Sequence, residues 1–422
     1  MKKFIIKGPT KPTSGLVTVS GAKNSCLPLI ASSILFNDQV VLRNVSFVQD
    51  VYTMLKLIKS LGSKVYISEK KKLVKIVNSK AHKLVVPYKL VSTMRAGVLT
   101  MGPLLSRYQN KKIFVAKGGG CSIGIRDINY HLSAFESLKA KHTLSKGYVK
   151  IFSVNGLKGN NFRFPKVTVT GTSNIIMASI FAKGTHKISN ISIEPEVLDL
   201  INFLNKSGAK IKFVGGRTIK IEGIKKLTKG EHTIIGDRIE AFSYLCVALI
   251  TKGKIHVRNI NPKFLSTELK ILQKIGCKIK LSKNSIFLKS LSKHKPVRIK
   301  TGPFPGYATD NMPIILAVMS KISGRSEIEE TIFSNRFMAA PELSRMGAKI
   351  KIKKNKAIIY GENKLFGADC ISSDLRTTFS IILGALAAEG TSKIQRIYHG
   401  LRGYYNLKTK LKNIGINIRV LN

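Results

Sequence analysis

Leu57-Ile58-Lys59-Ser60-Leu61-Gly62-Ser63-Lys64-Val65-Tyr66-Ile67 is the stretch from which the fold can be read. Leu57, Ile58 and Leu61 follow helical spacing and run into Gly62, after which apolar and polar residues alternate. A glycine at that junction is the expected left-handed cap of a helix C-terminus, because it has no Cβ to clash. The alternation beyond it predicts a strand with one wet face. The same sentence of sequence returns at Leu204-Asn205-Lys206-Ser207-Gly208-Ala209-Lys210-Ile211, around Gly276, around Gly347 and around Gly415. A weaker copy, Leu138-Lys139-Ala140-Lys141, carries Lys139 where the glycine should stand.

The anchors 62, 139, 208, 276, 347 and 415 lie 77, 69, 68, 71 and 68 residues apart. Six repeats of about 70 residues therefore fill the chain. Each repeat holds a second, almost wholly apolar stretch, at 27–35, 96–105, 175–182, 241–251, 312–320 and 377–388. A helix apolar on every side is a buried helix. Strands packed with one buried and one amphipathic helix make the fold class α/β, with three repeats in each of two domains that meet near 230–236. Periodicity leaves open whether the halves are sequential or exchange a terminal strand.

Hydrophobic residues make up 44% of the 422 residues, enough for full cores, but 72 Lys+Arg against 22 Asp+Glu leave a net charge of +50. Such an excess points to an anionic partner: nucleic acid, a membrane surface or a phosphorylated metabolite. The lysines are spread along the chain without interleaved aromatics, which reads as a solvated surface and argues against a dedicated polyanion-binding protein. Cys26, Cys121, Cys246, Cys277 and Cys370 show no metal-ligand spacing, so neither a metal site nor a disulfide framework is expected and a reducing cytosol fits. The first residues, Met1-Lys2-Lys3-Phe4-Ile5-Ile6-Lys7-Gly8, are too short an apolar run for a signal peptide, and no later run is long enough for a membrane span.

Polar residues cluster where the buried helices should begin: Lys23-Asn24, Thr93-Met94-Arg95, Asp237-Arg238, Thr309-Asp310 and Asp374-Leu375-Arg376. A helix N-terminus attracts anions, so a cation placed there gains nothing unless an anion lies between. Asp237, Asp310 and Asp374 each also fit an ordinary N-cap. Separately, Lys117-Gly118-Gly119-Gly120-Cys121-Ser122-Ile123-Gly124-Ile125-Arg126 sets a lone cysteine on a glycine-rich segment between cations. Nearby positive charge favours the thiolate, which makes the thiol a better nucleophile and proton-transfer group. A surface loop with an incidental cysteine is the alternative.

Ser20-Gly21-Ala22-Lys23-Asn24, Gly119-Gly120-Cys121-Ser122-Ile123-Gly124, Asn335-Arg336-Phe337-Met338, Pro341-Glu342-Leu343-Ser344-Arg345-Met346-Gly347-Ala348, Asp374-Leu375-Arg376 and Ile397-Tyr398-His399 resemble the enolpyruvyl transferase family over essentially the whole chain. The resemblance implies a pair of inside-out α/β barrels, one spanning 23–235 and the other 1–22 plus 236–422, with the active site in the cleft between them. It implies transfer of an enolpyruvyl group from phosphoenolpyruvate to the 3′-hydroxyl of UDP-N-acetylglucosamine, at the entry to peptidoglycan synthesis, by a cytoplasmic monomer with no cofactor and no metal. Cys121 then matches the acid that protonates phosphoenolpyruvate and can form an adduct with it, and Asp310 the carboxylate that deprotonates the sugar hydroxyl. Lys23, Asn24, Arg126, Arg336, Arg376 and Arg402 match phosphoenolpyruvate-binding positions. Arg95, Arg126, Asp127, Ile128, Asn129, Tyr130, Lys166, Val167, Thr168, Val169, Asp310 and Ile332 match sugar-nucleotide positions. The chain departs from the family's pattern at Asp127-Ile128-Asn129-Tyr130, Ser334, Asn311-Met312-Pro313 and Leu401. The shikimate-3-phosphate branch of the family lacks the cysteine loop, which separates it from this sequence.

Overall fold

All six anchors close a helix with the backbone in the left-handed region: φ is 115° at Gly62, 102° at Gly208, 125° at Gly276, 93° at Gly347, 84° at Gly415 and 66° at Lys139. The computed structural model describes residues 2–78, 81–92, 94–116, 128–362 and 364–421. Five of the caps, all but that at Gly276, share one hydrogen-bond pattern. The Gly208 N–H donates to the Asn205 carbonyl at 3.0 Å and the Ala209 N–H to the Leu204 carbonyl at 2.9 Å. Lys139 and Ala140 repeat it onto Glu136 (2.8 Å) and Phe135 (3.2 Å). Lys139 thus performs the glycine's task and bears the Cβ cost of that conformation.

Each repeat yields a four-stranded sheet of one design: a first strand parallel to a second, which runs antiparallel to a third, itself antiparallel to a fourth. In the third repeat these are Asn161–Arg163, Thr185–Ser189, Thr218–Glu222 and Lys210–Gly215. The strand that follows each anchor is the outer edge, so the expectation of one wet face needs correction. In Lys210–Gly215 only Ile211 is buried, because an edge strand has a neighbour on one side only. These edges are rich in lysine: Lys64, Lys141, Lys210 and Lys212, Lys278 and Lys280, then Lys349, Lys351 and Lys353. Charge on an open edge discourages pairing with another chain.

Three strands come from distant parts of the chain. Gly230–Thr233 joins the first repeat's sheet, parallel to Gln39–Arg43. Leu16–Thr18 joins the fourth repeat's sheet, parallel to Lys254–Arg258. Lys3–Gly8 supplies the third strand of the last sheet, between Gly390–Gln395 and Arg419–Leu421, and buries Phe4 and Ile6 there. By contacts the chain divides into two compact units, one drawn from Gly21 to Ile235 and the other from the residues up to Ser20 together with those from Gly236 onward.

Within the second of these, helices Arg238–Ile250, Met312–Met319 and Leu375–Ala387 pack on one another inside the sheets, and all but Leu375 of their residues are buried. Tyr244, Phe379 and Tyr404 interlock among them, with Tyr244 edge-on to Phe379 (centroids 5.8 Å) and Phe379 stacked on Tyr404 (4.7 Å). In the other unit the inner helices are Lys23–Ser32 and Val169–Ser179, with a 3₁₀ turn, Arg95–Thr100, running into Met101–Arg107. The single helix expected at 96–105 is therefore split. Pro103 offers no N–H to the carbonyl four residues back, which disfavours α geometry across that turn. Gly102 lets this helix close on its neighbour, since a Cβ there would stand 2.3 Å from the Asn174 carbonyl oxygen.

Most inner helices begin a few residues before their apolar stretch, so Lys23, Asn24, Arg238 and Arg376 lie inside the first turn. No helix among the described residues is long and apolar enough to cross a membrane.

Lys139→Gly should raise stability by about 1 kcal/mol, the usual cost of a left-handed non-glycine residue, and Gly208→Ala should lower it similarly. Urea midpoints of the three proteins check this. Burial lowers His82, His131 and His186 to about 4, so all three stay neutral in the fold, while the unfolded chain takes up protons near 6.5. Stability is then full above pH 6.5 and falls until about pH 4, by roughly 3 kcal/mol or less per histidine. Denaturant midpoints across that window should show the decline, and His186→Leu should flatten it.

Candidate active site

Asp310 sits in a 3₁₀ turn, Thr309–Asn311, that leads into the inner helix Met312–Met319. It does not cap that helix. Its carboxylate bridges two guanidinium groups: Oδ1 accepts from Arg336 Nη2 at 2.8 Å, and Oδ2 from Arg376 Nη2 at 3.1 Å and Nε at 3.3 Å. Both arginine side chains are 3% exposed, whereas Asp310 keeps 28%, so one carboxylate faces outward from a buried cationic floor.

Local structure puts each group there. Asp374 caps the helix Leu375–Ala387, accepting from the Arg376 N–H (2.7 Å) and the Thr377 N–H (3.0 Å), which fixes Arg376 in the first turn. Its guanidinium carbon stands 5.4 Å from the Tyr404 ring centroid. Burial works against the Arg376 charge, but Tyr404 and Asp310 outweigh it and hold the pKa above its ordinary value. Arg376 Nη1 is buried without a hydrogen-bond partner among the described residues. A buried charged donor left unmatched is costly, and an anion placed beside it would remove the cost. Arg336 is held by its Nε, which donates to the Thr309 carbonyl at 3.1 Å.

Arg402 follows the short helix Tyr398–Leu401. His399 in that helix has its pKa lowered by burial first and then by Arg402, while Asp374 pulls the other way. Ile332 is exposed on the turn after strand Gly324–Glu329, with its N–H bound by Glu330. Asp237, the other acid noted at a helix start, is an N-cap, accepting from the N–H groups of Ile239 (2.9 Å) and Glu240 (3.0 Å).

In the other compact unit Lys23 opens its helix and reaches the buried Asp50 at 3.3 Å, so the cation at that helix start has an anion beside it; Asn24 follows, half-buried. Asn129 and Tyr130 form the first turn of Asn129–Ser137, with Ile128 at its N-cap. Thr168 caps Val169–Ser179 by accepting from the Gly171 N–H at 3.3 Å, while Lys166 and Val167 lie in the preceding loop. Cys121, Arg126 and Asp127, together with Thr93, lie outside the described residues.

Sequence reading missed a residue that joins three of these segments. His131, in the Asn129–Ser137 helix, contacts Asn174 Nδ2 (2.8 Å) through Nδ1 and Thr170 Oγ1 (3.3 Å) through Nε2. Burial, and then Arg95, holds it near pKa 4. From the Asn129–Ser137 helix it thus ties to Val169–Ser179 directly, and through Asn174, whose Nδ2 donates to the Val98 carbonyl at 2.9 Å, to the turn that Arg95 opens. A lone histidine in an otherwise unremarkable helix carries no sequence signal of that role. A second buried histidine, His232, meets Asp199 Oδ1 through Nε2 at 2.7 Å. Ser25 bonds the other oxygen of Asp199. The aspartate stands between serine and histidine, so the imidazole cannot take the serine proton and this is a fastener rather than a nucleophilic triad.

The family described as EPSP synthase (3-phosphoshikimate 1-carboxyvinyltransferase) matches residues 7–411. The UDP-N-acetylglucosamine 1-carboxyvinyltransferase of Pelagibacter ubique (strain HTCC1062) is 44% identical over 422 residues, all of both chains. The protein of the same name from Psychrobacter sp. (strain PRwf-1) is 41% identical over 424 residues, covering 100% of this chain and 97% of that one. Among solved structures, the enolpyruvyl transferase NikO from Streptomyces tendae superposes with a TM-score of 0.89 at 20% identity over 99% of this chain and 98% of that one. EPSP synthase from Acinetobacter baumannii gives 0.78 at 18% identity over the full length of both. The α/β fold of six repeats is theirs too.

Asp310→Asn should lower stability by on the order of 2 kcal/mol, less than for a fully buried pair because the aspartate is partly exposed, since two buried guanidinium groups lose their counter-charge. Thermal or urea unfolding of the variant against the wild type measures it.

Proposed function

Because the chain belongs to the EPSP synthase family of enolpyruvyl transferases, we propose that it transfers the enolpyruvyl group of phosphoenolpyruvate to the 3′-hydroxyl of UDP-N-acetylglucosamine. Phosphate is released, and the product is the first committed intermediate of peptidoglycan synthesis. Full-length relatives that carry this activity in their names support the choice of acceptor. The observation that carries the chemistry is the Asp310 carboxylate held between Arg336 and Arg376, with Arg376 Nη1 unmatched beside it.

In this reading Cys121 gives a proton to the methylene carbon of phosphoenolpyruvate, and the neighbouring carbon becomes electrophilic. The sugar hydroxyl attacks that carbon as Asp310 takes its proton, which forms the new C–O bond. Loss of phosphate, with a proton from the new methyl group, restores the double bond. Arg336 and Arg376 hold the substrate carboxylate, and Lys23, Arg126 and Arg402 hold the phosphate. Cations fixed in advance where charge develops are commonly the largest catalytic contribution. Asn24 joins the phosphoenolpyruvate set. Arg95, residues 126–130, residues 166–169 and Ile332 form the sugar-nucleotide set. Every change is a proton transfer or a C–O exchange, so the reading asks for no cofactor, and it places a monomer in the cytoplasm where both substrates are made.

Shikimate-3-phosphate is the competing acceptor, as the matched family's own description names that activity. Phosphate release from phosphoenolpyruvate should occur with UDP-N-acetylglucosamine; release with shikimate-3-phosphate alone would overturn the proposal. Cys121→Ala should lose turnover at neutral pH, and Asp310→Asn should lower kcat by at least about 100-fold, as for removal of a positioned general base. Full turnover by Cys121→Ala would show that the thiol is not the acid.

A further inference from the structure

A chain with a charge of +50 has few acids, and several of the 22 are buried: Asp50, Glu194, Glu196, Asp199, Asp237, Glu240, Glu268 and Glu330. A buried carboxylate is costly unless its oxygens are bonded, so each one that persists is held by specific donors. Glu330 is the one whose donors come from the two segments that carry the Asp310–Arg336 pair.

Glu330 is 2% exposed and follows the strand Gly324–Glu329. Its Oε1 accepts from the Ile332 N–H (2.7 Å) and the Phe333 N–H (3.1 Å), which folds the chain back towards Arg336. Its Oε2 accepts from the Thr309 hydroxyl at 2.9 Å, one residue before Asp310. The backbone of Glu330 is itself fixed, its N–H donating to the Asn355 carbonyl (2.8 Å) and its carbonyl accepting from Asn355 Nδ2 (3.2 Å). Thr331 is pinned to Thr301 through its N–H (2.8 Å) and its hydroxyl (2.7 Å). The turn that Glu330 closes is thereby rigid at its start, and Arg336 ties the two segments further, through Nε to the Thr309 carbonyl and Nη2 to the Asp310 carboxylate.

From this geometry we infer that Glu330 is a positioning residue. Acting through the Thr309 hydroxyl on one side and the Ile332 and Phe333 amides on the other, it sets the distance between the Asp310 carboxylate and the Arg336 guanidinium. It touches no substrate. The inference rests on the proposed reaction, in which those two groups act on the acceptor hydroxyl and the phosphoenolpyruvate carboxylate.

Three variants test it in the full chain. Thr309→Val is close to isosteric and removes one bond to Glu330. Thr309→Ser keeps the hydroxyl. Glu330→Ala removes all three bonds. With phosphoenolpyruvate and UDP-N-acetylglucosamine both saturating, Thr309→Val should lose roughly 10- to 100-fold in kcat, as a small misplacement of reacting groups does, and Thr309→Ser should restore most of the loss. A role confined to stability would lower the unfolding midpoint of Thr309→Val and leave kcat of the folded enzyme unchanged, and that result overturns the inference. Amide exchange in the unliganded chain is a second readout that needs no turnover. Glu330→Ala should speed exchange at Ile332 and Phe333 by roughly tenfold or more, as for loss of a buried charged acceptor, with the strand Gly324–Glu329 unaffected. Unchanged exchange at those two amides also overturns it. If the wild type turns over neither acceptor, the functional reading fails instead, and the exchange result alone decides whether Glu330 holds the turn.

Discussion

A helix buried on every side can carry charge only at its ends, and this protein is built from such helices. In the inner helix Arg238–Ile250 all residues are buried, so the one strongly polar turn is the first, where Asp237 caps and Arg238 lies over the Phe304 ring. In Leu375–Ala387 the same constraint leaves Asp374 and Arg376 at the start and apolar or small residues beyond. Charges therefore gather at the starts of these helices, as at Lys23, Arg238 and Arg376. The repeat that sets the fold also sets where chemistry can be placed.

The cost of that arrangement is electrostatic. A cation in the first turn meets the positive end of the helix dipole and is buried as well. The structure offsets this locally: Lys23 by Asp50, and Arg376 and Arg336 by the shared Asp310. The second offset is incomplete, since Asp310 has two oxygens for two guanidinium groups and Arg376 Nη1 is left over. In the proposed reaction the carboxylate of phosphoenolpyruvate would complete the set, drawing on a charge imbalance already present in the protein. The scarce acids matter for the same reason. Asp310, Glu330 and Asp374 are fixed by donors that leave them little freedom to turn away.

The six-fold repeat was legible because its marks are local. A helix that ends in a left-handed residue writes its cap into three or four adjacent positions, and even Lys139, in the copy without glycine, takes that conformation. The polar helix starts were legible for the same reason. Their lengths were misjudged where the first turn is polar, as at Lys23–Ser32, and where Pro103 divides the second inner helix. His131 and the Asp199–His232 pair were not legible: each depends on partners between 33 and 43 residues away, and no spacing rule relates them.

Local pattern by itself determined the period, the caps, the inner helices and the positions where cations stand at helix ends, since each depends on neighbours within a turn or two. Motif likeness added which of them should meet substrate. Only the tertiary structure decided that Asp310 leaves the N-cap role to bridge Arg336 and Arg376, 26 and 66 residues away. The same holds for Glu330, which joins the two segments on which Asp310 and Arg336 stand, and for Lys3–Gly8, which closes the last sheet. Those contacts require separate repeats to pack their helix starts and sheet edges side by side, and the chain carries no local record of which repeats become neighbours.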